Sequence, residues 1–442
     1  MAHDRNGKIL IVGAGCFGLS TALALLKRGW TDVTVIDRAA TLPAPDGASN
    51  DINRVVRTSY SDDFYSKLAF DAIREWKTRD KWHDAYHESG VLVLGSGSVD
   101  YAHKAYLHDR DIGLRVVPLD SQATFHQVFM LQAHLGTFEN RTGYLNRDSG
   151  WANAGQGVKC IMDQVAALNG KIILGKDVVE LIQHGQKTTG VRCVDGTVFD
   201  ALELVVLATG SWTGSAFPDL PIGNIFQATG QCIAMVQLTP EEADMYKECP
   251  VVLDFALSFC IFPPNEQNMV KLATHKCKQS NHNHIGLADI HAAGYVQSIG
   301  AKNISTPRTI TSDPYTGLLI PKADVKELRE QLRMVYPALA EKPFVATRMC
   351  WYNDSFDDDW VIGYHPKSDK SLMFATAGSG HAYKFLPVIG QLVADAIEGK
   401  LSPQLVNKFA LDRTPNQFGE RRDQLGRQEL DLSQLCTPED LL

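Results

Sequence analysis

Residues 8–12, Lys8-Ile9-Leu10-Ile11-Val12, form a short apolar, β-branched run that reads as a buried parallel strand. Gly13-Ala14-Gly15-Cys16-Phe17-Gly18 follows at once and fits GxGxxG. An apolar helical stretch over residues 19–29 comes next and closes on Lys27, Arg28 and Gly29. A second strand over residues 33–37 then ends in an acid, Asp37, with Arg38 beyond it. Each part has a physical task. Gly13 permits the tight turn, Gly15 lets the backbone approach a pyrophosphate, and Gly18 lets helix and strand pack closely. The helix N-terminus offers unpaired N–H groups and partial positive charge. Asp37, roughly 20 residues beyond the glycines, is placed to accept hydrogen bonds from ribose hydroxyls. An isolated GxGxxG would be only a glycine-rich turn; in register with strand, helix, strand and acid it predicts a dinucleotide site, with Cys16, Phe17 and Arg38 at its edge. The unit alone does not decide between a nicotinamide and a flavin.

The remainder does not alternate strand and helix. Residues 158–168 are helical in pattern and 171–174 look like a strand. Residues 178–181 and 190–194 suggest a β-ribbon turning at Asp195-Gly196. Residues 204–210 form a further buried strand ending in small residues, expected to return to the nucleotide sheet. Residues 221–339 are strand-rich and mixed. Residues 372–380 again run from strand into a glycine turn, and a helix follows over 388–397. With 442 residues the chain needs more than one core. The pattern predicts an α/β, two-domain protein: segments 1–85, 148–220 and 340–415 build the nucleotide domain, 86–147 and 221–339 an inserted mixed-sheet domain, and 416–442 a surface tail.

Bulk properties exclude several classes. A net charge of −8 argues against nucleic-acid binding. No apolar run is long enough to span a membrane. The nine cysteines show no CxxC pair, so neither a metal site nor a disulfide framework is expected. The start has no apolar signal region and the end is not of the Ser-Lys-Leu type, which makes the cytosol the expected compartment.

Four further segments carry chemistry. Residues 48–57, Ala-Ser-Asn-Asp-Ile-Asn-Arg-Val-Val-Arg, bring Arg54 and Arg57 together; alone they could be a solvated pair. Residues 270–275 set Lys271 and His275 four apart on a strand, hence on one face. Taken singly these could be a surface lysine and a satisfied histidine. Residues 348–352 are Arg-Met-Cys-Trp-Tyr, where a buried cysteine is most simply packing. Residues 378–385 are Gly-Ser-Gly-His-Ala-Tyr-Lys-Phe.

Together with the GxGxxG unit, these segments resemble the monomeric sarcosine oxidase and fungal fructosyl amino acid oxidase (amadoriase) family of flavoproteins, over nearly the whole chain. The resemblance implies FAD, a Rossmann domain of the glutathione-reductase/D-amino-acid-oxidase kind, and hydrogen peroxide as a product. It places Ser49, Asn53, Arg54 and Arg57 beside the flavin. It gives Lys271 the flavin's far face, where a fixed ammonium would stabilise superoxide as it forms, and His275 and Tyr352 the substrate pocket. It makes Cys350 the covalent thioether attachment, with Arg348 as a nearby cation favouring the thiolate. It makes Gly380, His381 and Ala382 part of a turn feeding a helix N-terminus at the flavin's pyrimidine end. Lys384 is expected to pair with Arg54 around a substrate carboxylate.

The implied reaction oxidises a carbon–nitrogen bond in a secondary amine or N-substituted amino acid, such as an N-methyl amino acid or saccharopine. Electrons pass to O2 and an imine forms. Amadoriases commonly carry an acid where His275 falls, so fructosyl amino acids are the alternative substrates. A flavin dehydrogenase serving a protein acceptor is the alternative of another class. A small-molecule amine and O2 are the expected partners, and the chain is expected to be a monomer or weak oligomer.

Overall fold

The computed structural model describes residues 3–95, 100–220, 222, 225–274, 296–299, 302–414 and 429–442. Strand Ile9–Val12 lies at the centre of a six-stranded sheet, paired in parallel with Val33–Ile36 on one side and Leu204–Leu207 on the other. Lys171–Ile173 and Leu372–Thr376 extend the parallel order, and antiparallel Val361–Tyr364 closes one edge. The central strands Ile9–Val12 and Leu204–Leu207 are apolar at every position because both faces are covered. Ile9, Ile11, Leu204 and Val206 pack with helices Cys16–Lys27, Ala154–Ala167 and Ile389–Ile397. Leu10, Val12, Val205 and Leu207 turn the other way, toward a three-stranded sheet carrying Val178, Val191 and Cys193.

Two local expectations change. The helix after the glycine motif begins at Cys16, so residues 16–18 are its first turn and not part of the preceding loop. The β-ribbon is also longer than its apolar content suggested. Val178–His184 pairs with Lys187–Cys193 across Gly185, whose φ is +62°. Asp195-Gly196 instead connects Lys187–Cys193 to the short strand Val198–Phe199. Both turns use a positive-φ glycine, but polar residues at the ribbon's outer end disguised the first.

A mixed eight-stranded sheet forms the second layer system, in the order Ala346–Asp354, Gln227–Gln237, Met269–Thr274, Phe259–Ile261, Val251–Asp254, Val91–Gly95, Thr142–Asn146, Val116–Leu119. Only the pair Val251–Asp254 with Val91–Gly95 is parallel. Helix Lys322–Val335 seals one face through Val325, Leu328 and Leu332. Strand Ala346–Asp354 belongs to this sheet, although the sequence grouped residues 340–415 with the nucleotide segments. Its pairing along Gln227–Gln237 brings Cys350 opposite Gln231 and Tyr352 opposite Thr229. The end of the chain is more than a surface wrap. Leu430, Leu435 and Cys436 join the core under Lys322–Val335, and Cys436 N–H donates to the Ile320 carbonyl at 2.9 Å. No helix among the described residues is long and apolar enough to cross a membrane.

Candidate active site

A cavity of about 1020 Å³ runs from the glycine motif, past residues 38–50, to Arg54, Tyr352 and the turn at 378–382. Its size is at the upper end of ligand pockets, which are typically ~300–1,000 Å³. At the first end, Gly13 adopts φ +108°, and a Cβ there would lie 2.4 Å from the Ala208 carbonyl oxygen. A Cβ on Gly18 would lie 1.8 Å from the Gly13 carbonyl oxygen. Gly18 does not touch the cavity; it sets the distance between helix and strand, while Gly13, Gly15, Cys16 and Phe17 line the opening. Gly18→Ala is expected to cost at least the ~1–3 kcal/mol of ordinary overpacking and to release FAD, because a backbone carbonyl must move. Thermal unfolding and flavin absorbance of the purified variant check this.

Asp37 accepts from the Ala14 N–H at 2.7 Å and the Ala39 N–H at 2.8 Å, which pins the strand end beneath the turn. A carboxylate has further lone pairs, so it can still accept from a ribose. Arg38 stacks over Trp212 at 4.1 Å. Ser49 Oγ accepts the Cys16 N–H at 2.9 Å, tying the segment before Arg54 to the helix start. That helix carries no acid in its first turn. A glycine cradle, a helix N-terminus with no acid in its first turn, an acid at the second strand and a long cavity together fit FAD: residues 13–18 would hold the pyrophosphate, Asp37 the ribose, and the Arg54 end the ring.

At the far end three buried ions form one chain. Asp51 Oδ2 accepts from Lys271 Nζ at 2.8 Å and lies 3.0 Å from Arg54 Nη1. Lys271 Nζ also donates to the Asn53 carbonyl at 2.8 Å. Burial pushes the Asp51 carboxyl up, but Lys271, Arg54 and Arg348 outweigh it and hold the group below the usual carboxylate range. Burial moves Lys271 the other way, below an ordinary lysine, with Asp51 opposing. Arg54 Nη2 continues the chain, donating to the Cys350 sulfur at 2.9 Å and to the Ala48 carbonyl at 2.9 Å. Both side-chain amide atoms of fully buried Asn53 lack partners.

Several sequence expectations move at this point. The cation beside Cys350 is Arg54. Arg348 reaches past it to the carbonyls of Asn50 and Gly47. Arg54 does not pair with Lys384; its carboxylate partner is Asp51. Lys271, Arg57, Cys350 and Lys384 do not line the cavity, although Arg54, Tyr352 and Tyr383 beside them do. Of the glycine turn, Gly380 and Ala382 line the cavity, whereas His381 contacts Tyr60 Oη and the Asp358 carbonyl, each at 3.0 Å. The turn feeds a single 3₁₀ turn, Tyr383–Phe385, and the α-helix starts only at Ile389. So short an element sums little dipole. His275 lies outside the described residues.

Lys384 has a different companion. Its Nζ donates to Tyr60 Oη and to the His381 carbonyl, each at 2.7 Å. Arg57 lies over the same Tyr60 ring, 4.6 Å from its centre, and donates to the Ser59 carbonyl and, at 3.4 Å, to Tyr101 Oη. Neither cation has a carboxylate partner among the described residues. Burial, then Arg57, holds Lys384 well below an ordinary lysine. Tyr60 and Asp51 were missed in the sequence. Asp51 stood inside the segment that carried Arg54, but nothing local showed which cation it would meet.

The family described as DAO, FAD dependent oxidoreductase, matches residues 8–396. L-saccharopine oxidase of Schizosaccharomyces pombe is 28% identical over 416 residues, 90% of this chain and 91% of the relative. Amino acid oxidase imqH of Aspergillus flavus is 27% identical, covering 89% and 94%. Among solved structures, the deglycating fructosamine oxidase Amadoriase II of Aspergillus fumigatus superposes with a TM-score of 0.81 at 27% identity, covering 97% and 94%.

Proposed function

Since this chain belongs to the DAO family of FAD dependent oxidoreductases, we propose that it oxidises a carbon–nitrogen bond in a carboxylate-bearing secondary amine or N-substituted amino acid, with O2 as acceptor. The carrying observation is the pair Arg57 and Lys384: two buried basic groups around one tyrosine, with no carboxylate partner among the described residues. Burying like charges without a counter-ion is costly, and a substrate carboxylate would relieve that cost. We therefore assign the substrate carboxylate to the Arg57–Lys384 pair, whose chain neighbours Ala382 and Tyr383 line the cavity, and Arg54 to the cofactor side. The same positive surroundings disfavour an ammonium, so the substrate nitrogen is held neutral with its lone pair available. Bound FAD supplies the two-electron acceptor for the carbon–hydrogen bond next to that nitrogen and returns the electrons to O2 as peroxide. Water hydrolyses the imine product.

Cys350 is the residue that would carry FAD through a thioether, with Arg54 at its sulfur. Tyr352 lines the cavity beside it. Lys271 supplies the ammonium for oxygen. The likeness to L-saccharopine oxidase supports this substrate class, because saccharopine is a secondary amine bearing carboxylates. The likeness to Amadoriase II supports a second reading, fructosyl amino acids, which are also carboxylate-bearing secondary amines.

Peroxide release from sarcosine, N-methyltryptophan, saccharopine, pipecolate and fructosyl-valine, with oxygen uptake followed in parallel, tests the assignment. Turnover with an artificial dye but not with O2 would turn the reading toward a dehydrogenase. Lys384→Met is expected to lower kcat/KM for the accepted amino acid by roughly 10- to 100-fold, the loss of one charge-assisted hydrogen bond of ~1.5–3 kcal/mol. The decarboxylated analogue should be turned over equally by parent and variant. In the parent, kcat/KM should fall as pH rises through the depressed Lys384 pKa, since only the protonated amine binds the carboxylate; Lys384→Met should lack that limb.

A further inference from the structure

We propose that Asp51 is a positioning residue for oxygen chemistry: one buried carboxylate that keeps Lys271 protonated and fixed in place while anchoring Arg54 against Cys350. The inference rests on the functional reading above but concerns a residue that reading does not use. The geometry is a shared anion. A single oxygen, Oδ2, meets Lys271 Nζ at 2.8 Å and Arg54 Nη1 at 3.0 Å, while Oδ1 accepts the Ile52 N–H at 2.8 Å. One carboxylate oxygen is thus shared between two cations that come from different parts of the chain. The side chains of Asp51 and Lys271 are each 1% exposed, so water offers no alternative counter-ion.

The groups facing Lys271 are few. Asp51 and Arg54 come from the segment leading into strand Arg54–Val56, and Cys260 from strand Phe259–Ile261. Arg348 adds positive charge to Asp51 from strand Ala346–Asp354, and Cys350 and Tyr352 of that strand adjoin Arg54. Burial pushes the Cys260 thiol up to about 11, so it brings no negative charge at neutral pH. The near ring of Phe262, 5.0 Å from Nζ, offers only its quadrupole. Burial and Arg54 both drive Lys271 toward the neutral amine. Asp51 is the carboxylate among the described residues that opposes them.

The test replaces Asp51 with Asn in the FAD-loaded enzyme and follows reoxidation of reduced flavin by O2 across pH. The apparent pKa below which reoxidation is fast should fall by at least about one pH unit, the lower end of what one adjacent charge does. Asp51→Glu should restore the profile. Midpoint potentials of the bound flavin, taken by chemical reduction, give a second readout. Below the variant's pKa, Asp51→Asn carries one more positive charge than the parent, and its potential should lie positive of it. Above that pKa the gap should close, because Lys271 has lost its proton. An unchanged pKa together with a pH-independent potential gap would overturn the proposal. Chemical reduction needs no substrate, so a wrong amine assignment leaves this readout intact. If Asp51→Asn yields no flavoprotein, the double variant Asp51→Asn/Lys271→Met decides. Recovery of the FAD-bound fold supports the proposal, since no buried ammonium is then left unpaired. Failure of the double variant as well overturns it, because the carboxylate would then be holding the loop and not the ammonium.

Discussion

Replacing Cys350 with serine is expected to abolish covalent retention of flavin, so that acid-denatured variant protein turns colourless while the parent stays yellow. Serine keeps the size and burial of the side chain but removes the sulfur nucleophile. Cys350 lies in the middle of strand Ala346–Asp354, paired with Gln231 on one side, which fixes the direction of its side chain. The Arg54 guanidinium meets the sulfur at 2.9 Å, and the neighbouring Tyr352 opens onto the cavity. A nucleophilic thiolate is favoured beside a cation. Colour persisting in the denatured variant would remove Cys350 from this role. The same assay on Arg54→Met separates the contributions: attachment should slow, because the sulfur loses its cationic neighbour, yet the nucleophile remains and attachment should reach completion on long incubation with FAD.

The second large effect is expected at Lys271. Lys271→Met should slow reoxidation of the reduced enzyme by about 10²–10³-fold, the usual scale for removing a preorganised charge from a developing anion. Reduction by substrate should change by no more than a few-fold, since the hydrogen bonds of Lys271 go to Asp51 and the Asn53 carbonyl and not to the Arg57–Lys384 pair. Methionine fills the space of the aliphatic stem, and the Asp51 left behind retains Arg54 as its partner. Stopped-flow traces of the two half-reactions measure this directly. Comparable slowing of both would assign Lys271 to the fold of the site and not to oxygen.

How much of this was readable along the chain depends on the range of the interaction. Strand Ile9–Val12, the turn at Gly13–Gly18 and Asp37 form one local unit, and the glycines are required by contacts within it: a Cβ on Gly18 would strike Gly13 five residues earlier. Strand Leu204–Leu207 was recognisable because a strand buried on both faces must be apolar at every position. The likeness of residues 48–57, 270–275, 348–352 and 378–385 to a flavoprotein family marked segments whose described residues the fold brings together. Within them the partners came out differently. Arg54 was read as a carboxylate-binding group and meets Asp51; Arg57 shares Tyr60 with Lys384; Arg348 holds the 47–50 loop. Gly185 was passed over as a turn because its flanking residues are polar, and the pairing of strand Ala346–Asp354 with Gln227–Gln237 had no local signal.

The sequence alone determined the dinucleotide unit, the mixed α/β class and the short segments that carry reactive groups, because backbone conformation and apolar periodicity are set by near neighbours. Only the tertiary structure decided which charges face one another. Asp51 and Lys271 are 220 positions apart, and Tyr60 and Lys384 are 324 apart. A buried ion takes whatever counter-charge packing brings within a few ångströms, and that distance is not written in any stretch of chain around it.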